Sequence, residues 1–66
     1  MKRYLIKYYR NNDYIKINFN KDSFASCKKE DATLFVTLEL ANTYKAKLEK
    51  FYKDMQFNEK FIIEEI

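Results

Sequence analysis

Apolar and polar residues alternate with a period of two through the opening of the chain. Tyr4, Ile6 and Tyr8 interleave with Arg3, Leu5, Lys7 and Tyr9, and Ile15, Ile17 and Phe19 interleave with Tyr14, Lys16 and Asn18. Such a period puts alternate side chains on opposite faces of an extended backbone, so both runs predict β-strands. Between them Arg10-Asn11-Asn12-Asp13 predicts a four-residue hairpin loop, in which Asn and Asp take the left-handed backbone that glycine would otherwise supply. A loop of that length pairs Tyr9 with Tyr14, Tyr8 with Ile15, Lys7 with Lys16, Ile6 with Ile17 and Tyr4 with Phe19. The apolar partners then share one face.

Asn20-Lys21-Asp22-Ser23 is a turn signal, "FASC" reads either as a short third strand or as an irregular crossing, and "KKED" is a polar break. Further along, Leu40, Ala41, Tyr44, Leu48, Phe51, Tyr52 and Met55 follow the i, i+3, i+4, i+7 spacing of one helical face. Carrying that helix backward would put Phe35 and Val36 on its polar side. The spacing therefore predicts a start near Leu38 with Thr37 as N-cap, Val36 stapled onto Ala41, an end near Met55, and Asn58 as a left-handed residue beyond it. "KFIIEEI" predicts a last strand with Phe61 and Ile63 inward, because the opposite choice would bury Glu64. The fold class is a small α+β domain over residues 1–66: an antiparallel β-β-[β]-α-β sheet with one helix on one face. Its expected core is Ile6, Tyr8, Ile15, Ile17, Phe19, Phe61 and Ile63 against the helix stripe.

Length and composition narrow what this domain can be. A chain of 66 residues supports one domain with a marginal core. One cysteine, Cys27, rules out an internal disulfide, and with no histidine it cannot supply a structural zinc site. Support must come from Tyr and Phe packing or from self-association. No glycine or proline is present, so turns fall to Asn, Asp and Ser. The usage of Lys, Asn, Ile, Tyr and Phe is that of a low-GC genome. The opening "MKRYLIKYYRNND" lacks the apolar stretch of a signal peptide, and no membrane-spanning run exists, so a cytoplasmic protein is expected.

The pattern resembles small phage and mobile-element proteins of low-GC bacteria. The resemblance rests on the opening "KRYLIKYY", an A-x-x-F element at Ala32-Thr33-Leu34-Phe35, a T-x-E-x-A helix start at Thr37-Leu38-Glu39-Leu40-Ala41, and the closing "FIIEEI". It implies an accessory or regulatory protein that binds a host factor, and it carries no catalytic residues.

The chemistry points the same way. Without histidine the commonest general base is missing, and without glycine no phosphate-cradling loop can form. The adjacent carboxylates Glu30-Asp31 and Glu64-Glu65 read as solvated charge, and Cys27 reads as a structural thiol rather than one activated by Lys28 and Lys29. A non-enzymatic role with no cofactor is expected. The outer sheet face is the candidate binding surface, presenting Arg3, Leu5, Lys7, Tyr9, Tyr14, Lys16, Asn18, Ile62 and Glu64. Aliphatic residues among Tyr and Arg suit a protein partner, whether a host factor or a second copy in a homodimer. Aromatics among lysines also suit single-stranded nucleic acid, although the net charge of +3 is low for it. A plain solvated face is the third reading.

Overall fold

The structure, a computed structural model, describes residues 2–66. Four strands, β1 (Tyr4–Tyr8), β2 (Tyr14–Asn18), β3 (Ser23–Cys27) and β4 (Phe61–Glu65), form one antiparallel sheet in the order β3-β2-β1-β4. A single α-helix, α1 (Leu38–Asp54), packs on one face, over β1 and β4. The α+β class read from the sequence is the observed one, and "FASC" lies within a true strand, β3.

Helix α1 begins where the pattern placed it. Thr37 is the N-cap, and its hydroxyl accepts from the Leu40 amide at 3.1 Å, satisfying one of the donors a helix start leaves open. Val36, expected to staple onto Ala41, is exposed at the surface, whereas Ala41 is buried. At the other end the left-handed residue is Gln56, with φ 65°, rather than Asn58. The Gln56 amide donates to the Lys53 carbonyl and the Phe57 amide to the Tyr52 carbonyl, each at 2.9 Å. These are the two bonds of a Schellman cap, and the usual apolar contact across it is made by the Phe57 and Tyr52 rings, 6.5 Å between centroids. A chain without glycine has placed glutamine at a site that glycine normally takes.

The first hairpin is wider than its sequence predicts. Lys7 pairs with Tyr14 instead of Lys16, a slip of two residues, and the Tyr8 amide donates to the Asp13 carbonyl at 2.9 Å. A slip of two keeps every side chain on its face, which is why the apolar pattern could not detect it. The longer loop over residues 9–13 closes with no left-handed residue; the Asn11 side chain accepts from the Asp13 amide at 2.8 Å instead. Arg10 in this loop pairs with Glu59 at 3.1 Å.

Beyond Lys7 and Tyr14 strands β1 and β2 splay apart, and residues 33–35 enter the gap. The Thr33 amide donates to the Ile15 carbonyl at 3.1 Å, and its hydroxyl accepts from the Ile17 amide at 2.7 Å. Phe35 and Tyr4 exchange both backbone bonds, at 2.9 and 3.0 Å. The wedge thus supplies partners for the Ile15 carbonyl, the Ile17 amide and both Tyr4 backbone groups in the gap. It also delivers Phe35 to the core, 1% exposed, against the Tyr44 ring.

The core contains Ile6, Tyr8, Ile15, Phe35, Ala41, Leu48 and Phe61, with Ile17, Ile63, Phe24, Tyr44 and Tyr52 packed around it. Tyr8 and Tyr52 share a hydroxyl hydrogen bond of 2.9 Å, so the buried phenol is satisfied. Phe19, expected in the core, lies past the end of β2 and is exposed, its ring edge-on to that of Tyr44 at 5.5 Å.

Candidate functional site

Register determines where each predicted site residue falls. On the face turned away from α1, Cys27, Tyr14, Lys7 and Ile62 form one row across the sheet. Leu5 sits opposite Glu64 on β4, and Lys16 sits opposite Ala25 on β3. Arg3 closes this end through backbone bonds to Ile66, while Asn18 uses its side chain to accept the Asn20 and Lys21 amides in the β2–β3 turn. Tyr9 lies outside β1 in the loop, exposed, with its amide bonded to the Lys60 carbonyl at 2.9 Å.

This face is not the open platform that the sequence pattern suggests. Leu5 is 1% exposed and Tyr14 7%. The connection from β3 to α1, including the short 3-10 turn Lys29–Asp31, runs across the face before diving into the β1–β2 gap. Glu64 anchors it: one carboxylate oxygen accepts from the Tyr14 hydroxyl at 2.8 Å and the other pairs with the Lys29 ammonium at 2.8 Å. The Lys29 and Tyr14 bonds hold the Glu64 carboxyl below the usual range, and the Glu64 bond in turn raises both Lys29 and Tyr14. The expected pairing of Lys7 with Lys16 does not form, because Lys7 faces Tyr14, its ammonium 5.8 Å from the ring centroid. Leu5 and Tyr14 are therefore structural, and of the proposed apolar anchors only Tyr9 and Ile62 stay at the surface.

The other end of the sheet is open. The backbone groups of Ile15 and Ile17 turn toward Thr33, so by the alternation of an antiparallel ladder those of Tyr14, Lys16 and Asn18 turn toward β3. Their partners are Cys27, Ala25 and Ser23. The N–H and C=O groups of Phe24 and Ser26 consequently point away from the sheet, along its free edge. The strand SFASC carries no charge, no proline and no bulge, the devices by which exposed edges are usually blunted. The opposite edge strand, β4, ends in Glu64 and Glu65.

Because α1 covers β1 and β4, the β2–β3 half of the inner face is only partly roofed. A groove of about 280 Å³ remains between helix and edge, lined mainly by Ile17, Phe24, Tyr44, Leu48 and Phe51. Phe24 and Phe51 meet edge-to-face at 5.2 Å, and Phe51 is 47% exposed. A free strand edge beside an apolar groove can take an added strand by main-chain bonds and seat its alternate side chains. The sequence did hold a signal for this edge, an uncharged stretch between "NKD" and "KKED", but an isolated segment does not say whether it lies inside a sheet or at its rim.

Other chemistry is sparse. Burial raises the Cys27 thiol, and Asp31 adds to the effect while Lys16 opposes it. Among the described residues no three His, Cys, Asp or Glu side chains gather as a metal site, and no helix is long and apolar enough to cross a membrane. No protein-family model matches the chain, and comparison with curated proteins and with solved structures returns no match either.

Proposed function

We propose that the protein is a non-enzymatic interaction module that binds an extended segment of a polypeptide partner along β3. The observation that carries this reading is the uncharged free edge of Phe24 and Ser26 beside the groove of Ile17, Phe24, Tyr44, Leu48 and Phe51. Main-chain bonds to the edge supply affinity, and side chains entering the groove supply selectivity. The resemblance to phage and mobile-element proteins supports an accessory or regulatory role in such an element, carried out inside the host cell. Single-stranded nucleic acid is a poorer fit, because stacking needs exposed rings and Tyr14 is buried under the chain's own connection.

The test is a selection of random heptapeptides on the purified protein, followed by amide NMR mapping. Selected peptides should shift the Phe24 and Ser26 amides and lose binding to Ser26→Pro, whose missing N–H points off the edge. Peptides that bind Ser26→Pro as well as wild type would overturn the reading.

A further inference from the structure

Resting on that reading, we infer that the partner that best fits the β3 edge is a second copy of the chain, added antiparallel about a two-fold axis at Ala25. The parity of the ladder selects this register. Only Phe24 and Ser26 direct backbone groups off the edge, so the register that uses both is the one pairing Phe24 with Ser26 of the second copy, and the reverse. Shifting by two residues either way loses half of those bonds.

Side chains agree with this choice. At the axis Ala25 faces its own copy in a non-hydrogen-bonded pair, where strands approach most closely and a small residue is needed. Ser23 faces Cys27, again small against small. On the inner face the two Phe24 rings lie on a diagonal within aromatic reach, flanked by the exposed Phe51 of each helix.

Charge agrees as well. Asp22 precedes the strand and Lys28 follows it; both are exposed, and neither has an ion-pair partner among the described residues. The same register brings each Asp22 to the Lys28 of the second copy. An isologous contact of this kind closes on itself, so it yields a dimer with a continuous eight-stranded sheet rather than a fibre. It also removes the exposed edge that would otherwise template aggregation.

The experiment is light scattering on the intact chain from about 1 µM to about 1 mM, the range that spans weak, small interfaces. Wild type should pass from monomer to dimer. Ser26→Pro deletes an outward donor, and Ala25→Glu gains Lys16 as an in-chain neighbour while opposing its own charge across the axis; each should stay monomeric with unchanged circular dichroism. Ala25→Cys in a Cys27→Ser background should cross-link into a covalent dimer on mild oxidation, because the facing Cα atoms fall within disulfide reach. A strict monomer at the highest concentration, or a dimer that survives both Ser26→Pro and Ala25→Glu, overturns the inference. If wild type is monomeric while selected heptapeptides still shift the Phe24 and Ser26 amides, the strand-addition reading stands and only the second copy is excluded as partner.

Discussion

Tyr14 on β2 hydrogen-bonds Glu64 on β4 at 2.8 Å, reaching over β1, the strand that separates them. With Lys29 on the other carboxylate oxygen, the contact pins the β3–α1 connection onto the sheet and buries Leu5 and Tyr14 within the expected binding face.

The pH dependence of stability should carry the signature of this contact. Glu64 is held below its ordinary value of 4.5, so its contribution is present above that value and lost as pH falls through the lower folded one. Lys29 and Tyr14 are raised above 10.5 and 10.0, so theirs is present below those values and lost as pH rises beyond them. Thermal midpoints by circular dichroism should be flat between about pH 5.5 and 9.5 and decline on either side. Glu64→Gln should lower the plateau and flatten the acid limb; an acid limb of unchanged slope would refute the assignment.

Leu5→Ala should cost about 2–5 kcal/mol, as for any fully buried leucine, despite lying on the face opposite the helix. Ile62→Ala, on the same face but near the rim, should cost about 1 kcal/mol or less. Urea titration of both variants distinguishes a covered face from an open one, since equal small losses would mean that Leu5 is free.

The wedge between β1 and β2 predicts a polar dependence at Thr33. Thr33→Val keeps shape but strips the acceptor from the Ile17 amide, and should cost about 1–3 kcal/mol, whereas Thr33→Ser should recover most of it. If valine and serine behave alike, the hydroxyl bond contributes nothing.

At the Schellman cap, Gln56→Gly should stabilise the protein by about 1 kcal/mol, because a side chain at φ 65° crowds the backbone. Asp22→Gly, at φ 50°, should gain less, since aspartate tolerates that region better. Differential scanning calorimetry resolves the two, and a loss at Gln56 would contradict the cap geometry.

Cys27 should react slowly with a disulfide reagent at neutral pH in the folded protein and readily once unfolded, because burial raises its thiol. Equal rates in buffer and in urea would show the thiol to be freely accessible.

Local patterning carried much of this structure. Period-two runs located β1 and β2, and "KFIIEEI" located β4; helical spacing with Thr37 located α1; and the inward choice of Phe61 and Ile63 followed from the cost of burying Glu64. These are decisions that neighbouring residues settle among themselves. The hairpin register escaped because a shift of two residues conserves every face, and Phe35 escaped because a residue outside any periodic run gives no sign of its depth.

The sequence by itself therefore determined β1, β2, α1 and β4, their order, and which side of those three strands packs inward, since period and capping act over a few residues, while it left "FASC" open between strand and crossing. Tertiary structure alone decided that the β3–α1 connection would cover Leu5 and Tyr14, that Thr33 and Phe35 would part β1 from β2, and that SFASC would lie at the rim. Those outcomes depend on contacts between residues far apart in the chain, such as Tyr14 with Glu64. Whether a strand edge is free depends on what the rest of the chain has already paired.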